Sequence, residues 1–162
     1  MAEDRGSIVV TGAAGLVGQN LIPRLKARGA GALIAIDKHT VNLRILARLH
    51  PDVQLIEADL AVPGRWQDAF AGARAVVVNH AQIGALSEQP FIANNVTATR
   101  HVLDAAKAHG VGYLVHVSSS VVNSAARDYY VETKKAQEAL VVASSIPCCI
   151  LRPSLMFGWF DR

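Results

Sequence analysis

Six short apolar runs punctuate the chain, and between them the apolar positions recur with a helical period. The runs cover 7–10, 32–36, 53–57, 75–79, 113–117 and 148–151. They are rich in Val and Ile, and several are apolar at successive rather than alternate positions. Strands covered on both faces of a parallel sheet have that pattern. Leu16, Leu21 and Leu25 mark a first helix that Gly29 ends, a second covers 41–49, and a short one covers 66–70. A long helix is expected over 90–109, with Ala93, Val96, Val102, Leu103 and Ala106 on its apolar side and Gly110 stopping it. The last helix covers 129–143. Strand and helix alternate throughout, which predicts a doubly wound α/β sheet with helices on both faces, because right-handed crossovers place them there. No repeat, linker or low-complexity stretch divides the chain.

Composition narrows the class without changing this picture. Of 162 residues, 51% are hydrophobic and 18% charged, enough for one globular core. The net charge of +3 is small and its basic residues are dispersed, the nearest cluster being Arg24, Lys26 and Arg28, read as a solvated helix face. Four Phe, two Trp and three Tyr are few for a base-stacking surface, so no nucleic-acid partner is expected. No apolar run approaches a membrane span, and the N-terminus has no apolar stretch after a basic start. A cytoplasmic protein is expected, with the adjacent Cys148 and Cys149 as buried thiols and no metal site.

The first strand runs straight into Thr11-Gly12-Ala13-Ala14-Gly15-Leu16-Val17-Gly18. Glycines at 12, 15 and 18 between a strand and an amphipathic helix allow a tight turn, backbone approach to a pyrophosphate, and close helix packing. The helix N-terminus adds unpaired N–H groups and the positive end of its dipole. Asp37 ends the second run, 25 positions after Gly12. There a carboxylate accepts hydrogen bonds from ribose hydroxyls and repels a 2′-phosphate, favouring NAD over NADP, although Lys38 and His39 soften that repulsion. The alternative is an ordinary polar residue at a strand end.

The fifth run leads into Ser118-Ser119-Ser120, and Tyr129-Tyr130-Val131-Glu132-Thr133-Lys134 opens the last helix. Tyr130 and Lys134 are four apart and share a helix face. A nearby ammonium stabilises a tyrosine phenolate, and a phenolate beside a serine hydroxyl can take a proton from an alcohol as hydride leaves the adjacent carbon. Tyr129 lacks such a partner, since position 133 is Thr.

In this order the motifs resemble those of the extended short-chain dehydrogenase/reductases, the NAD-dependent epimerase/dehydratase family, along essentially the whole chain. The turn from Thr11 to Gly18, containing Ala14, Gly15, Leu16 and Val17, resembles the family's TGxxGxxG. Asp37 with Lys38 resembles its ribose segment, and Asp59-Leu60 its adenine-side pair. Asn79-His80-Ala81 is similar to the segment beside the nicotinamide ribose. Asn95 opens a stretch similar to Asn-Val-x-Gly-Thr, with Ala98 in place of glycine, and Arg152-Pro153 opens one similar to RPxxxYG. The resemblance implies a Rossmann-type sheet of order 3-2-1-4-5-6 and NAD as cofactor. It implies Tyr130 as acid/base, Lys134 as its partner and ribose ligand, and Ser119 or Ser120 orienting the substrate oxygen. Of the two serines, the spacing before a Val122-Asn123-Ser124 run points to Ser119, with Ser120 as the fallback. A homodimer through 90–109 and 129–143 is also implied, unless those apolar faces pack on the sheet.

Two readings follow. One is an NAD-dependent enzyme acting on a secondary alcohol or ketone, with a nucleotide sugar as one candidate small-molecule substrate. The other is a non-catalytic dinucleotide-binding module. The stretch before Tyr130 is short and the chain stops soon after Gly158. Residues 1–162 are therefore expected to be the cofactor half of a longer fold, cut before its substrate domain. His80 and His116 are read as structural, and His39, His50, His101 and His109 as surface residues.

Overall fold

The computed structural model describes residues 6–158. The two chain ends, on which the expectations of no secretory leader and of an early stop rest, fall outside these described residues. One sheet of six parallel strands organises the rest: β1 (Ser7–Thr11), β2 (Leu33–Asp37), β3 (Gln54–Glu57), β4 (Ala73–Val78), β5 (Tyr113–Val117) and β6 (Cys148–Leu151). Their spatial order is β3-β2-β1-β4-β5-β6, the Rossmann-type order expected. β1 pairs with β2 on one side and β4 on the other. The chain thus leaves β1 in one direction and later returns on the opposite side, which opens a crevice beyond the strand ends.

Both faces of the sheet are covered, and this is why its strands read as nearly continuous apolar runs. Ile8 and Val10 face a core with Ile22 of α1 (Leu16–Ala27) and Leu46 of α2 (Thr40–Leu49). Val9, between them, faces the other core with Phe70, with Val102 and Leu103 of α4 (Ala98–Ala108), and with Val141 of α5 (Tyr129–Ala143). The side of α4 turned away from the sheet carries exposed Arg100, Asp104 and Lys107. α1 and α4 stop where Gly29 and Gly110 close their caps. Ala30 N donates to Leu25 O and Val111 N to Ala106 O, the six-to-one bonds of a Schellman ending. Among the described residues no helix is long and apolar enough to cross a membrane.

Several expectations need adjustment. Thr11 and Asp37 belong to their strands, whereas Val53 and Asn79 lie just outside theirs. The short helix at Arg65–Phe70 is a 3-10 turn. The long helix is not uniform: α3 (Gln89–Phe91) passes into a π-helical stretch, Ile92–Thr97, before α4. The face turned inward carries Phe91, Asn95, Ala98, Thr99, Val102, Leu103 and Ala106, so Asn95 is buried, whereas Ala93 and Val96, expected on the apolar side, are only partly buried. The cysteines are not both buried. Among the described residues β6 is the outer strand of the sheet, and Cys148 is exposed and Cys149 partly so.

The seam between the sheet and α4 and α5 holds buried polar groups. His80 lies between Thr11 Oγ1 at 2.9 Å from Nδ1 and Thr99 Oγ1 at 3.1 Å from Nε2, while Gln137 Nε2 donates to Thr99 Oγ1 at 2.8 Å. The Thr11 hydroxyl donates to Val77 O. The consistent assignment therefore puts the His80 proton on Nδ1 and leaves Nε2 accepting from Thr99. His116 of β5 is fully buried, and neither ring nitrogen has a hydrogen-bond partner. Burial, then the nearby Lys134 charge, lowers its pKa to about 4. Glu138 and the backbone of Val78, its neighbour across the sheet, oppose that shift. Burial lowers His80 further, to about 3, with Lys134, His116 and Lys38 adding repulsion.

A histidine whose folded pKa is depressed takes up a proton more readily when unfolded. Stability is therefore present above the ordinary value of 6.5 and is lost as pH falls toward about 4 for His116. Between pH 7 and pH 5 that residue accounts for a loss of about 2 kcal/mol. His116→Leu, which removes two unsatisfied ring nitrogens, is expected to remain folded. Urea unfolding at the two pH values should show the gap between them shrinking by about that amount. An unchanged gap would contradict the account.

Candidate active site

The crevice at the strand ends is a cavity of about 580 Å³, within the range that holds small ligands. Its first wall is the turn from β1 into α1. Gly12 sits at φ +62°, and a Cβ there would lie 2.7 Å from both N and Cα of His80. Only glycine permits β1 and the segment after β4 to close up in this way. Asn79 reinforces the contact: its N donates to Thr11 Oγ1 at 3.1 Å and its Nδ2 to Gly12 O at 3.0 Å. Gly15 caps α1 without any side-chain hydrogen bond, and Gly15, Leu16 and Val17 line the cavity. The unpaired N–H groups of that first turn are available to an anion.

Asp37 ends β2 at the same level. One carboxylate oxygen accepts from Ala14 N at 2.9 Å and the other from His39 N at 3.0 Å. The side chain thus ties the glycine turn to the next connection, and each oxygen retains acceptor capacity toward the cavity it lines. Lys38 reaches across the crevice, donating to Asn94 Oδ1 at 2.6 Å and approaching Asp59 Oδ2 at 3.4 Å. Leu60, His80 and Ala81 also face the cavity.

At its other end stand Tyr130, the 118–120 serines and Pro153. Ser118 Oγ donates to Glu138 Oε1 at 2.5 Å. Ser119 opens a 3-10 turn, Ser120–Asn123, its Oγ accepting from Val121 N at 3.4 Å, which leaves its proton to give. Ser120 N donates to Pro153 O at 2.9 Å, holding the segment after β6 against that turn. Asp128 caps α5 through Val131 N at 2.8 Å, so the helix begins where Tyr130 can face the cavity. Lys134, one turn on, is 1% exposed and donates to Val117 O at 3.0 Å. Burial lowers its pKa to about 8, against the pull of Glu138. It remains mostly cationic at neutral pH.

Four residues named from the sequence do not reach the cavity wall: Ala14, Gly18, Asn95 and Lys134. Ala14 contributes its N–H to Asp37, and Gly18 packs where a Cβ would meet the Ala13 backbone at 2.5 Å. Asn95 is fully buried, accepting from Gln82 N at 2.6 Å and donating to Thr133 Oγ1 at 2.9 Å. It joins the loop after β4 to the helix that carries Tyr130. Sequence reading missed Glu138, which receives both Nε and Nη2 of Arg152 at 2.9 and 2.6 Å and is thereby held below the usual carboxylate range. Its signal was present, at four and eight positions beyond Lys134 and Tyr130 on one helix face. His101, read as a surface residue, is half-buried and bonds Leu60 O at 3.0 Å.

With this geometry in place, comparison with known proteins is direct. The NAD dependent epimerase/dehydratase family profile matches residues 8–162. A 2-alkyl-3-oxoalkanoate reductase of Stenotrophomonas maltophilia is 33% identical over 177 aligned residues, covering 96% of this chain and 52% of that protein. A ceramide reductase of Caulobacter vibrioides is 27% identical, covering 98% and 49% respectively. Among solved structures, UDP-glucuronic acid 4-epimerase from Bacillus cereus in complex with NAD superposes with a TM-score of 0.82 at 26% identity, covering 94% of this chain and 58% of that one. The chain spans about half the length of the curated relatives it matches. It belongs to the NAD-dependent epimerase/dehydratase family, an enzyme family of oxidoreductases, epimerases and dehydratases.

Proposed function

We propose that this chain carries the cofactor site and proton-transfer residues of an NAD-dependent oxidoreductase acting on a secondary alcohol or ketone. The observation that carries the reading is one continuous cavity, with an uncapped helix N-terminus and Asp37 at one end and Tyr130, Ser119 and Ser120 at the other. The relatives named above include reductases and a sugar-nucleotide epimerase, and alcohol/ketone interconversion is the step this site can serve for either kind of substrate.

The residues fit a dinucleotide. The first turn of α1 offers N–H groups to a pyrophosphate, and the missing Cβ of Gly12 brings the backbones of two strand ends together beneath it. Asp37 accepts from ribose hydroxyls, Asp59 and Leu60 border the adenine end, and Asn79 to Ala81 border the nicotinamide end. Bound NAD supplies or accepts the hydride. Tyr130 exchanges a proton with the substrate oxygen, and Ser119 or Ser120 orients that oxygen by a hydrogen bond. Lys134, one helical turn beyond Tyr130 and held by Val117 O, is the cation of the pair. Glu138 fixes Ser118 and Arg152, and so braces both chain segments around the reacting atoms.

Two outcomes check this reading. In the full-length protein, Tyr130→Phe should lower kcat about 100- to 10,000-fold while NAD affinity stays close to that of the parent. A variant turning over alcohols as fast as the parent would leave only a dinucleotide-binding module. By calorimetry, NAD should bind at least about tenfold more tightly than NADP, since a phosphate close to the Asp37 carboxylate meets like charge. Asp37→Ser should narrow that ratio, and tighter NADP binding by the parent would overturn the role given to Asp37.

A further inference from the structure

Lys38 follows Asp37 directly, and by its place in the sequence it softens the repulsion between that carboxylate and a 2′-phosphate. In the structure its ammonium is committed elsewhere. It donates to Asn94 Oδ1 at 2.6 Å and stands 3.4 Å from Asp59 Oδ2. The Asp59 contact is long, and the two side chains are 40% and 45% exposed, so solvent screens it. The bond to Asn94 is short and charge-assisted, and it carries most of the restraint.

Asn94 is itself aimed. Its Nδ2 donates to Gln82 Oε1 at 2.8 Å, which fixes the orientation of the amide and leaves Oδ1 to accept from Lys38. Gln82 is held in turn, its N donating to Asn95 Oδ1 and its Nε2 to Gly84 O. A row of bonds therefore crosses from the end of β2 to the loop after β4, and Lys38, Asn94 and Gln82 all border the cavity. Beside Asp37 stands a second carboxylate, that of Glu57, its register partner on β3, which accepts from Thr40 Oγ1 at 2.7 Å. A 2′-phosphate placed there meets like charge. Recruiting Lys38 as its counter-ion means drawing the ammonium back across the crevice and giving up the bond to Asn94.

We infer that Asn94 is a determinant of cofactor choice: it holds the Lys38 ammonium across the crevice, withholds it from a ribose 2′-phosphate, and so reinforces the preference for NAD set by Asp37. This rests on the proposed dinucleotide site and names a residue that acts on its specificity through Lys38. The preference then has two separable parts, repulsion at Asp37 and the engagement of Lys38 by Asn94.

The full-length protein is titrated with NAD and with NADP by calorimetry, and the ratio of the two dissociation constants is compared among variants. Asn94→Ala should narrow the ratio roughly threefold to tenfold, because NADP no longer has to break a hydrogen bond to gain its cation. Asn94→Leu, which keeps the side-chain size, should narrow it by a similar factor. In a Lys38→Met background the same two substitutions should leave the ratio unchanged, since the cation they release is gone. An unchanged ratio in both Asn94 variants, or a narrowing equally large without Lys38, would overturn the inference while NAD binding leaves the cofactor site standing. Absence of NAD binding by the parent would overturn both.

Discussion

The backbone contact between Gly12 and the Asn79–His80 segment is the constraint on which the rest of this site depends. A Cβ at position 12 would sit 2.7 Å from the His80 backbone, so the two strand ends that define the switch point can meet only through glycine. The bonds from Asn79 to Thr11 and Gly12 then lock the meeting, and His80 carries it onward to α4 through Thr99. Everything that borders the cavity is placed relative to this junction. Asp37 is positioned by the turn it braces, and the loop after β4 leaves the junction toward Asn95 and Thr133.

A second set of bonds aligns the Tyr130 end of the cavity with the first. Asn95, buried within the π-helical stretch, joins the loop beyond Ala81 to the helix carrying Tyr130 and Lys134. Glu138 on the same helix gathers Ser118 and Arg152. The polar groups that do this are buried among apolar residues, where each satisfied bond is strong and each unsatisfied one costly. His116, without partners, is such a cost, and its depressed pKa follows from the same burial.

The strands were legible because those covered on both faces leave runs with little polar interruption, and because the glycine turn and Asp37 mark the ends of β1 and β2, while their spatial order came only with the resemblance to the family. Tyr130 and Lys134 were legible from helical spacing. What escaped reading depends on tertiary closure. Asn95 stands three and four positions before buried Ala98 and Thr99, but as a polar residue it did not count toward the apolar face it shares. Cys148 looked like core because the run it opens is apolar, whereas β6 is the outer strand among the described residues and leaves it exposed. Glu138 carried a spacing signal that pointed to its helix face and said nothing of Arg152.

The central claim, that the crevice between the β1 turn and the segment after β4 is a dinucleotide site, is tested most directly by amide hydrogen exchange with and without NAD. The account predicts slowed exchange at 12–18, 79–82 and 118–121, with no change on the outward side of α4 at Arg100, Asp104 and Lys107. No protection at the first two segments, or protection confined to the outward side of α4, would contradict it.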